Sequence, residues 1–357
     1  MGRAERLSAV NKNPRGPVLF LLLCLALCLA AGCQKTPRKY TQEIYGAFDT
    51  AVQLSAYAED QEQFDKLAEL AEEELLRLSH LYDIYTPYQG VRGLYWLNSQ
   101  AGQGPVQLEL EVLDLLEFSR ECFRLTEGRV NPAMGAVLSV WHDLRLEAGQ
   151  NPDRARLPQD QELKAAAEHC HMEDLEIDRR AGTAELRDPE MQLDVGAIAK
   201  GYAVQRVVEK LEAAGYRDFV LSAGGNVQAQ GSPPDRESWS VGVQSPEAPG
   251  ELAAVLEVSD QAVVTSGGYE RFYVVDGRRY HHIVDPASLY PAERMLSATV
   301  ICAEGGLADC LSTALFLMEP QQALDFIQTV PGARALLVTL DGEILDSAGL
   351  LGPDRLE

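Results

Sequence analysis

The sequence predicts an α+β fold in a single large domain, on three observations. Apolar residues recur at helical spacing from Asp60 to Tyr82 and again from Ala203 to Leu211. Short strand-like runs crowd the second half, separated by Gly, Asp and Pro turns. No internal repeat or low-complexity linker divides the chain after its first 40 residues, and 357 residues fit one large domain or two intimate ones.

The N-terminus is a separate element. Arg3, Arg6, Lys12 and Arg15 precede an apolar run from Val18 to Ala31, too short for a permanent span, that ends in Gly32-Cys33. The segment resembles a bacterial lipoprotein signal, although Leu29 sits one place further from the cysteine than the commonest pattern has it. A simple export signal or an uncleaved anchor is the alternative. Residues 1–32 are thus read as signal peptide, 33–40 as a tether lipidated at Cys33, and 41–357 as the folded domain, lipid-anchored to a bacterial membrane outside the cytoplasm.

Glu43 to Tyr57 alternates as a strand. Phe64, Leu67, Leu70, Leu75, Leu78 and Leu81 mark a helix with an acidic outer face, and a second helix runs from about Glu111 to Leu125, ending before Gly128. The signal is weak between Asp143 and Leu186, where Pro152 to Pro158 reads as an exposed loop. A helix starting near Ala197 stops at Gly215. Strands follow over Phe219–Gln230, Trp239–Gln244, Ala253–Val258, Phe272–Val275, Tyr280–Val284 and Leu296–Cys302. Helices over Ala308–Met318 and Gln321–Thr329 and a hairpin through Asp341-Gly342 close the chain, with antiparallel pairing expected in this half.

Charge excludes whole classes of partner. The formal charge is −23, and removing the signal, with its four basic residues and one acid, leaves −26. Such a chain repels nucleic acid and anionic lipid, and no basic cluster offsets it. A compact anion remains possible where a metal and helix termini neutralise it locally. Cys122, Cys170, Cys302 and Cys310 are scattered singly and read as small buried hydrophobes; His169-Cys170-His171, taken as strand, would point its side chains to opposite faces.

Candidate chemistry concentrates in five segments. In LDVGAIAKGYAV (193–204), Asp194 ends a strand and Gly196-Ala197 turns into a helix whose first amides are free for a phosphate; a packing turn with a solvated Lys200 is the plain alternative. In ADCLSTALF (308–316), Asp309 and Thr313 share one helix face and are hard oxygen donors suited to magnesium, or else a first-turn acid and a core residue. VVTSGGYERF (263–272) holds a Ser-Gly-Gly turn, and LSAGGNV (221–227) is a glycine-rich strand. HHIVDP (281–286) places at most one of His281 and His282 in a site, because neighbours on a strand face opposite ways.

Together with AFDTAV (47–52) and GRVNPAMG (128–135), these motifs, in this order, resemble the ApbE family of extracytoplasmic flavin transferases, across nearly the whole chain after the signal. The resemblance implies a single two-lobed, T-fold-like domain with mixed and antiparallel sheets, flanking helices and an FAD-binding cleft between lobes. It implies that FAD is a substrate, that Mg2+ is required, and that FMN is joined to a threonine hydroxyl of a target protein with release of AMP. Carried over by position, Phe48, Tyr85, Ala133, Met134, Asp194, Lys200, His282 and Ile283 would contact FAD, with Thr50 close to Phe48. The carbonyl of Ala197, with Asp309 and Thr313, would hold the metal, so that LDVGAIAKGYAV forms one cleft wall and Asp309 and Thr313 the opposite one. His282 is the candidate for proton transfer, with Asp285 as the other possible base. Acceptors would be extracytoplasmic subunits of membrane redox complexes. Hydrolysis of FAD to FMN and AMP, or FAD binding without catalysis, are the competing functions. One departure stands out: where the family has Thr-Gly after Asp-Pro, this chain reads Ala287-Ser288-Leu289, and loss of the glycine predicts a rearranged loop over the cleft. Ser297-Ala298-Thr299 imitates an acceptor motif, in a run that alternates as a strand.

Overall fold

The computed structural model describes residues 36–248 and 250–351, so the signal segment and Cys33 lie outside the described residues. The chain opens with β1 (Arg38–Ala47), β2 (Thr50–Ala58), α1 (Gln61–Tyr82), α2 (Leu94–Ser99), β3 (Val106–Gln107), α3 (Leu110–Leu125), α4 (Gly135–Gln150) and α5 (Asp160–Ala167). The hairpin β4 (Leu175–Asp178) and β5 (Thr183–Leu186) leads to α6 (Ala199–Ala213). Then come β6 (Phe219–Ala223), β7 (Asn226–Gln230), β8 (Trp239–Gln244), β9 (Leu252–Val258), β10 (Gln261–Gly267), β11 (Phe272–Val275), β12 (Arg278–His281) and β13 (Met295–Cys302). Helices α7 (Gly305–Phe316) and α8 (Pro320–Ile327) precede β14 (Arg334–Thr339) and β15 (Ile344–Asp346).

The spine is an eight-stranded sheet in the order β1-β2-β6-β7-β10-β13-β14-β15, antiparallel at every step. This is the α+β architecture that the pattern predicts. One face of the sheet packs on α1, α3, α6 and α7 through the main core, which includes Leu54, Leu75, Leu115, Val207, Phe219, Leu311 and Phe316. The other face is covered by the β8–β9 hairpin through Trp239, Val241 and Leu256. A separate cluster joins α4 and α5 to β11 through Met134, Trp141, Leu163 and Tyr273. The sheet with its helices and this smaller cluster form the two sides of a cleft. Among the described residues no helix is long and apolar enough to cross a membrane.

Several elements differ from the sequence expectation, each for a local reason. The strand expected over Glu43–Tyr57 is the β1–β2 hairpin, turned at Phe48 and Asp49, whose φ values of 54° and 51° match the twist a tight hairpin needs. No glycine marks that turn, so alternation ran through it; it is pinned by the Phe48 amide donating to Ser79 Oγ at 2.9 Å. The run Phe219–Gln230 is likewise a hairpin, β6–β7, turned at Gly224-Gly225. Strand β1 begins at Arg38, inside the segment read as tether. The weakly patterned span 143–186 holds the end of α4, helix α5 and the β4–β5 hairpin, and β10 occupies residues read only as the approach to a Ser-Gly-Gly turn. His169-Cys170-His171 lies in the turn after α5 rather than on a strand, with His169 Nδ1 2.7 Å from Asp188 Oδ2. Ser297 and Thr299 are fully buried in β13, out of reach of any labelling chemistry.

Helices α6 and α7 approach through glycine. A Cβ on Gly201 would run into the Gly305 carbonyl and lie 2.6 Å from Asp309 Cβ, and one on Gly305 would lie 2.8 Å from the Gly201 carbonyl oxygen. Overpacking such a contact costs about 1–3 kcal/mol. Gly201→Ala is therefore expected to lower the thermal midpoint by several degrees; an unchanged unfolding curve would show that the helices separate without penalty.

Candidate active site

The cleft has a volume of about 530 Å³, the size of a site for a nucleotide-like molecule. Phe48, Thr50, Tyr85, Met134, Asp194, Ala197, Lys200, His282, Ile283, Asp309 and Thr313 all line it. Ala133 does not: its side chain is fully buried in the main core, because the Asn131 side chain caps the short turn Pro132–Met134 and rotates the alanine inward. Asp285 is absent from the cleft wall as well. Its carboxylate accepts from Arg294 at 2.9 Å and from the Ala287 amide at 2.8 Å, so it builds the loop rather than serving as a base.

The turn into α6 is built around Asp194, whose Oδ1 accepts the Gly196 amide at 2.7 Å. The Val195 carbonyl then takes the amides of Ile198 and Ala199 at 2.9 and 2.8 Å. Gly201 breaks the series. Its amide, which a regular helix would give to the Ala197 carbonyl, goes instead to Asp309 Oδ2 at 2.8 Å. The Ala197 carbonyl thereby loses that partner on the cleft wall. This contact also corrects the expectation of opposite walls: Gly201, within LDVGAIAKGYAV, touches Asp309 directly.

Asp309 is 4% exposed, and burial raises its pKa despite Lys200, the Gly201 amide and a hydrogen bond with Asn226. Asn226 Oδ1 is itself buried without a partner among the described residues. Thr313 Oγ1 lies 3.1 Å from Ser266 Oγ, which lies 2.8 Å from Ser312 Oγ. The donors that converge here are all oxygen, and among the described residues no group of three His, Cys, Asp or Glu side chains stands ready for a softer metal.

Across the cleft the two histidines part company at the end of β12, which stops at His281. His281 has both ring nitrogens engaged, Nε2 with the Ala292 carbonyl at 2.7 Å and Nδ1 with the Ile283 amide at 3.2 Å. His282 lines the cleft with Nδ1 3.3 Å from the Arg271 carbonyl. Since a carbonyl only accepts, Nδ1 carries the proton and Nε2 keeps a lone pair. Burial, then the nearby Lys200, pushes its pKa down to about 3, so the ring is neutral at physiological pH.

Sequence reasoning missed Arg145 and His142. Tyr85 stacks on His142 at 4.4 Å, and Arg145 Nη2 lies 3.0 Å from His142 Nδ1. Both stand on α4, whose Val137, Trp141, Leu144 and Ala148 carry the helical spacing that would have revealed it. Lys200, Arg145 and Arg271 line the cleft, and none forms an ion pair among the described residues. Burial lowers the Arg145 pKa and disfavours its charge, which leaves this side chain in need of an anion.

The loop that lacks the family glycine puts its leucine in the left-handed region. Leu289 takes φ +64°, held by its amide to the Asp285 carbonyl at 2.8 Å and by Trp141 Nε1 to its own carbonyl at 2.9 Å. A leucine in this left-handed region carries local backbone strain.

An aspartate whose folded pKa is raised costs stability as it ionises: the loss begins as pH rises through the ordinary carboxylate range and is complete above the raised value. Asp309→Asn, which still offers an oxygen to the Gly201 amide, is thus expected to raise the metal-free thermal midpoint at pH 7.5 by a few degrees. A lower midpoint would contradict the strain assigned to this carboxylate.

Comparison with known proteins follows this geometry. The ApbE family model matches residues 48–337. The chain is 35% identical over 277 residues to the FAD:protein FMN transferase of Treponema pallidum (strain Nichols), covering 73% of this chain and 74% of that protein. It is 30% identical over 262 residues to the enzyme of that name from Klebsiella pneumoniae (strain 342), covering 73% and 78%. A crystal structure of the ApbE protein of Thermotoga maritima MSB8 superposes with TM-score 0.75 at 27% identity, over 87% of this chain and 97% of that one. The flavin transferase ApbE of Vibrio cholerae shares the fold with TM-score 0.73 at 23% identity, over 88% and 98%. The extent of the family match, together with these relatives, establishes that the chain belongs to the ApbE family.

Proposed function

We propose that the chain transfers the FMN portion of FAD to a threonine hydroxyl of an extracytoplasmic target protein, in a magnesium-dependent reaction that releases AMP. One observation carries this reading: an all-oxygen donor set shares a cleft with three cations that form no direct ion pair among the described residues, in an otherwise acidic chain. The names of the relatives, FAD:protein FMN transferase, supply the substrate and acceptor class.

The residues fit the ion. Mg2+ prefers oxygen ligands and shares its shell with phosphate. Asp309, the Thr313 hydroxyl and the Ala197 carbonyl, deprived of its helical amide, would hold it, and the unpartnered Asn226 Oδ1 faces the same need for a positive neighbour. When bound, the ion offsets charge on the phosphates as the diphosphate is split. Lys200, Arg271 and Arg145 draw the diphosphate in, Asp194 and the Tyr85–His142 stack meet the adenosine end, and Phe48, Met134 and Ile283 shelter the flavin. The threonine oxygen attacks the FMN phosphorus, the bond to the AMP oxygen breaks, and AMP leaves with that electron pair. His282 Nε2 accepts the hydroxyl proton. Lipidation at Cys33 would hold the enzyme at the membrane, next to extracytoplasmic subunits of redox complexes.

Incubating the chain with FAD, Mg2+ and a candidate acceptor tests the reading. Covalent FMN on the acceptor is expected; FMN and AMP without labelling would point to hydrolysis, and unchanged FAD to a carrier. Asp309→Ala is expected to abolish metal-dependent turnover.

Because the His282 pKa in the free enzyme is about 3, the base form is present at every pH above that. The profile of kcat/KM is therefore expected to show no acid limb near pH 6.5 that can be traced to this histidine. A limb there that vanishes in His282→Gln would overturn its depressed pKa.

A further inference from the structure

Thr313, Ser266 and Ser312 form a chain of hydroxyls whose direction is fixed, with Ser266 lining the cleft beside Thr313. Ser312 Oγ donates to the Asp309 backbone carbonyl at 3.0 Å, and a carbonyl can only accept, so the single Ser312 proton is spent there. Ser312 Oγ, 2.8 Å from Ser266 Oγ, must then receive the Ser266 proton. Ser266, 3.1 Å from Thr313 Oγ1, has none left and must receive the proton of Thr313. Followed to its end, the chain draws the Thr313 proton toward Ser266 and leaves the threonine oxygen with only lone pairs to offer the cleft.

We propose that Ser266 and Ser312 are positioning residues that make Thr313 an obligate acceptor, and so prepare it to bind a divalent cation. The inference rests on the cation reading above and adds two residues to it. A threonine hydroxyl is otherwise an ambivalent group, free to turn either its proton or its lone pairs to the cleft before a cation arrives. Ser312 is fully buried and reports to the backbone of the residue that carries the other side-chain ligand, Asp309. The relay thus ties the Thr313 hydroxyl and the backbone of Asp309 to strand β10. Neither serine touches a reacting atom in this account. Their effect passes through Thr313.

The experiment is a titration of Mn2+ into the full chain with ADP present as a diphosphate probe, followed by the electron paramagnetic resonance of free Mn2+. Outer contacts to metal ligands typically govern affinity by 10–100-fold. Ser266→Ala is expected to weaken binding at least about tenfold. Ser266→Thr, which keeps a hydroxyl on a strand where a β-branched residue is at home, is expected to restore it. In a Thr313→Val background, Ser266→Ala is expected to have no further effect, because the group it acts through is gone. A purely structural role for Ser266 would lower the thermal midpoint of Ser266→Ala while leaving Mn2+ affinity unchanged, and that result would overturn the inference alone. So would additive effects of the two substitutions. Failure of the unaltered chain to bind Mn2+ with ADP would instead remove the cation reading, and this inference with it.

Discussion

The hydrogen bond from the Gly201 amide to Asp309 organises the rest of the site. It takes an amide out of the α6 ladder and frees the Ala197 carbonyl. It also holds a buried carboxylate whose ionisation the fold resists. It forms only because α6 and α7 touch backbone to backbone, which residues 201 and 305 permit by having no Cβ. Two helices that are far apart in sequence thereby place Ala197, Asp309 and Thr313 on the lining of one cleft. The eight-stranded sheet beneath them fixes where that lining lies, since β7 and β10 bring Asn226 and Ser266 up to the same helix.

Charge is distributed against the grain of the chain. The protein carries a formal −23, and the cleft gathers Lys200, Arg145 and Arg271, none in a direct ion pair among the described residues, beside the acids Asp194 and Asp309, which attract Lys200 and Arg145 at longer range. Unpaired cations in a partly desolvated cleft favour a multiply charged anion over a neutral ligand, and the acidic exterior discourages polyanions. The same electrostatics explain the neutral His282: the neighbouring positive charge of Lys200, added to burial, makes a second cation there unfavourable. An uncharged imidazole with Nδ1 committed to a backbone carbonyl keeps Nε2 open, as a proton acceptor must.

Much of this was legible in the sequence, and the gaps have physical causes. Asp309 and Thr313 four apart on an apolar helix, and the turn from Asp194 into α6, announce themselves by spacing. That at most one of His281 and His282 reaches the cleft follows from alternation, whereas the choice of His282 came from the family resemblance. The β1–β2 turn was hidden because Phe48 and Asp49 adopt positive φ without a glycine to signal it. Leu289 takes a positive φ that glycine would adopt without strain, with Trp141 and Asp285 holding it in place. Arg145 and His142 were missed with the helix that carries them. Ala133 sits in a matching motif yet faces the core, since a motif fixes the backbone turn and not which of its side chains reaches the cleft. The directed hydroxyl chain of Thr313, Ser266 and Ser312 was beyond reach, because it depends on the register of β10 against α7.

The central claim is that the oxygens brought together by α6 and α7 form a divalent cation site next to a diphosphate. Crystals of the protein grown with Mn2+ and ADP, with anomalous diffraction to locate the metal, test it most directly. The account predicts an anomalous peak within direct ligation distance of Asp309, Thr313 and the Ala197 carbonyl, with phosphate oxygens completing the shell. A metal bound elsewhere in the cleft, or a diphosphate seated on Lys200, Arg145 and Arg271 with no metal beside Asp309, would contradict it.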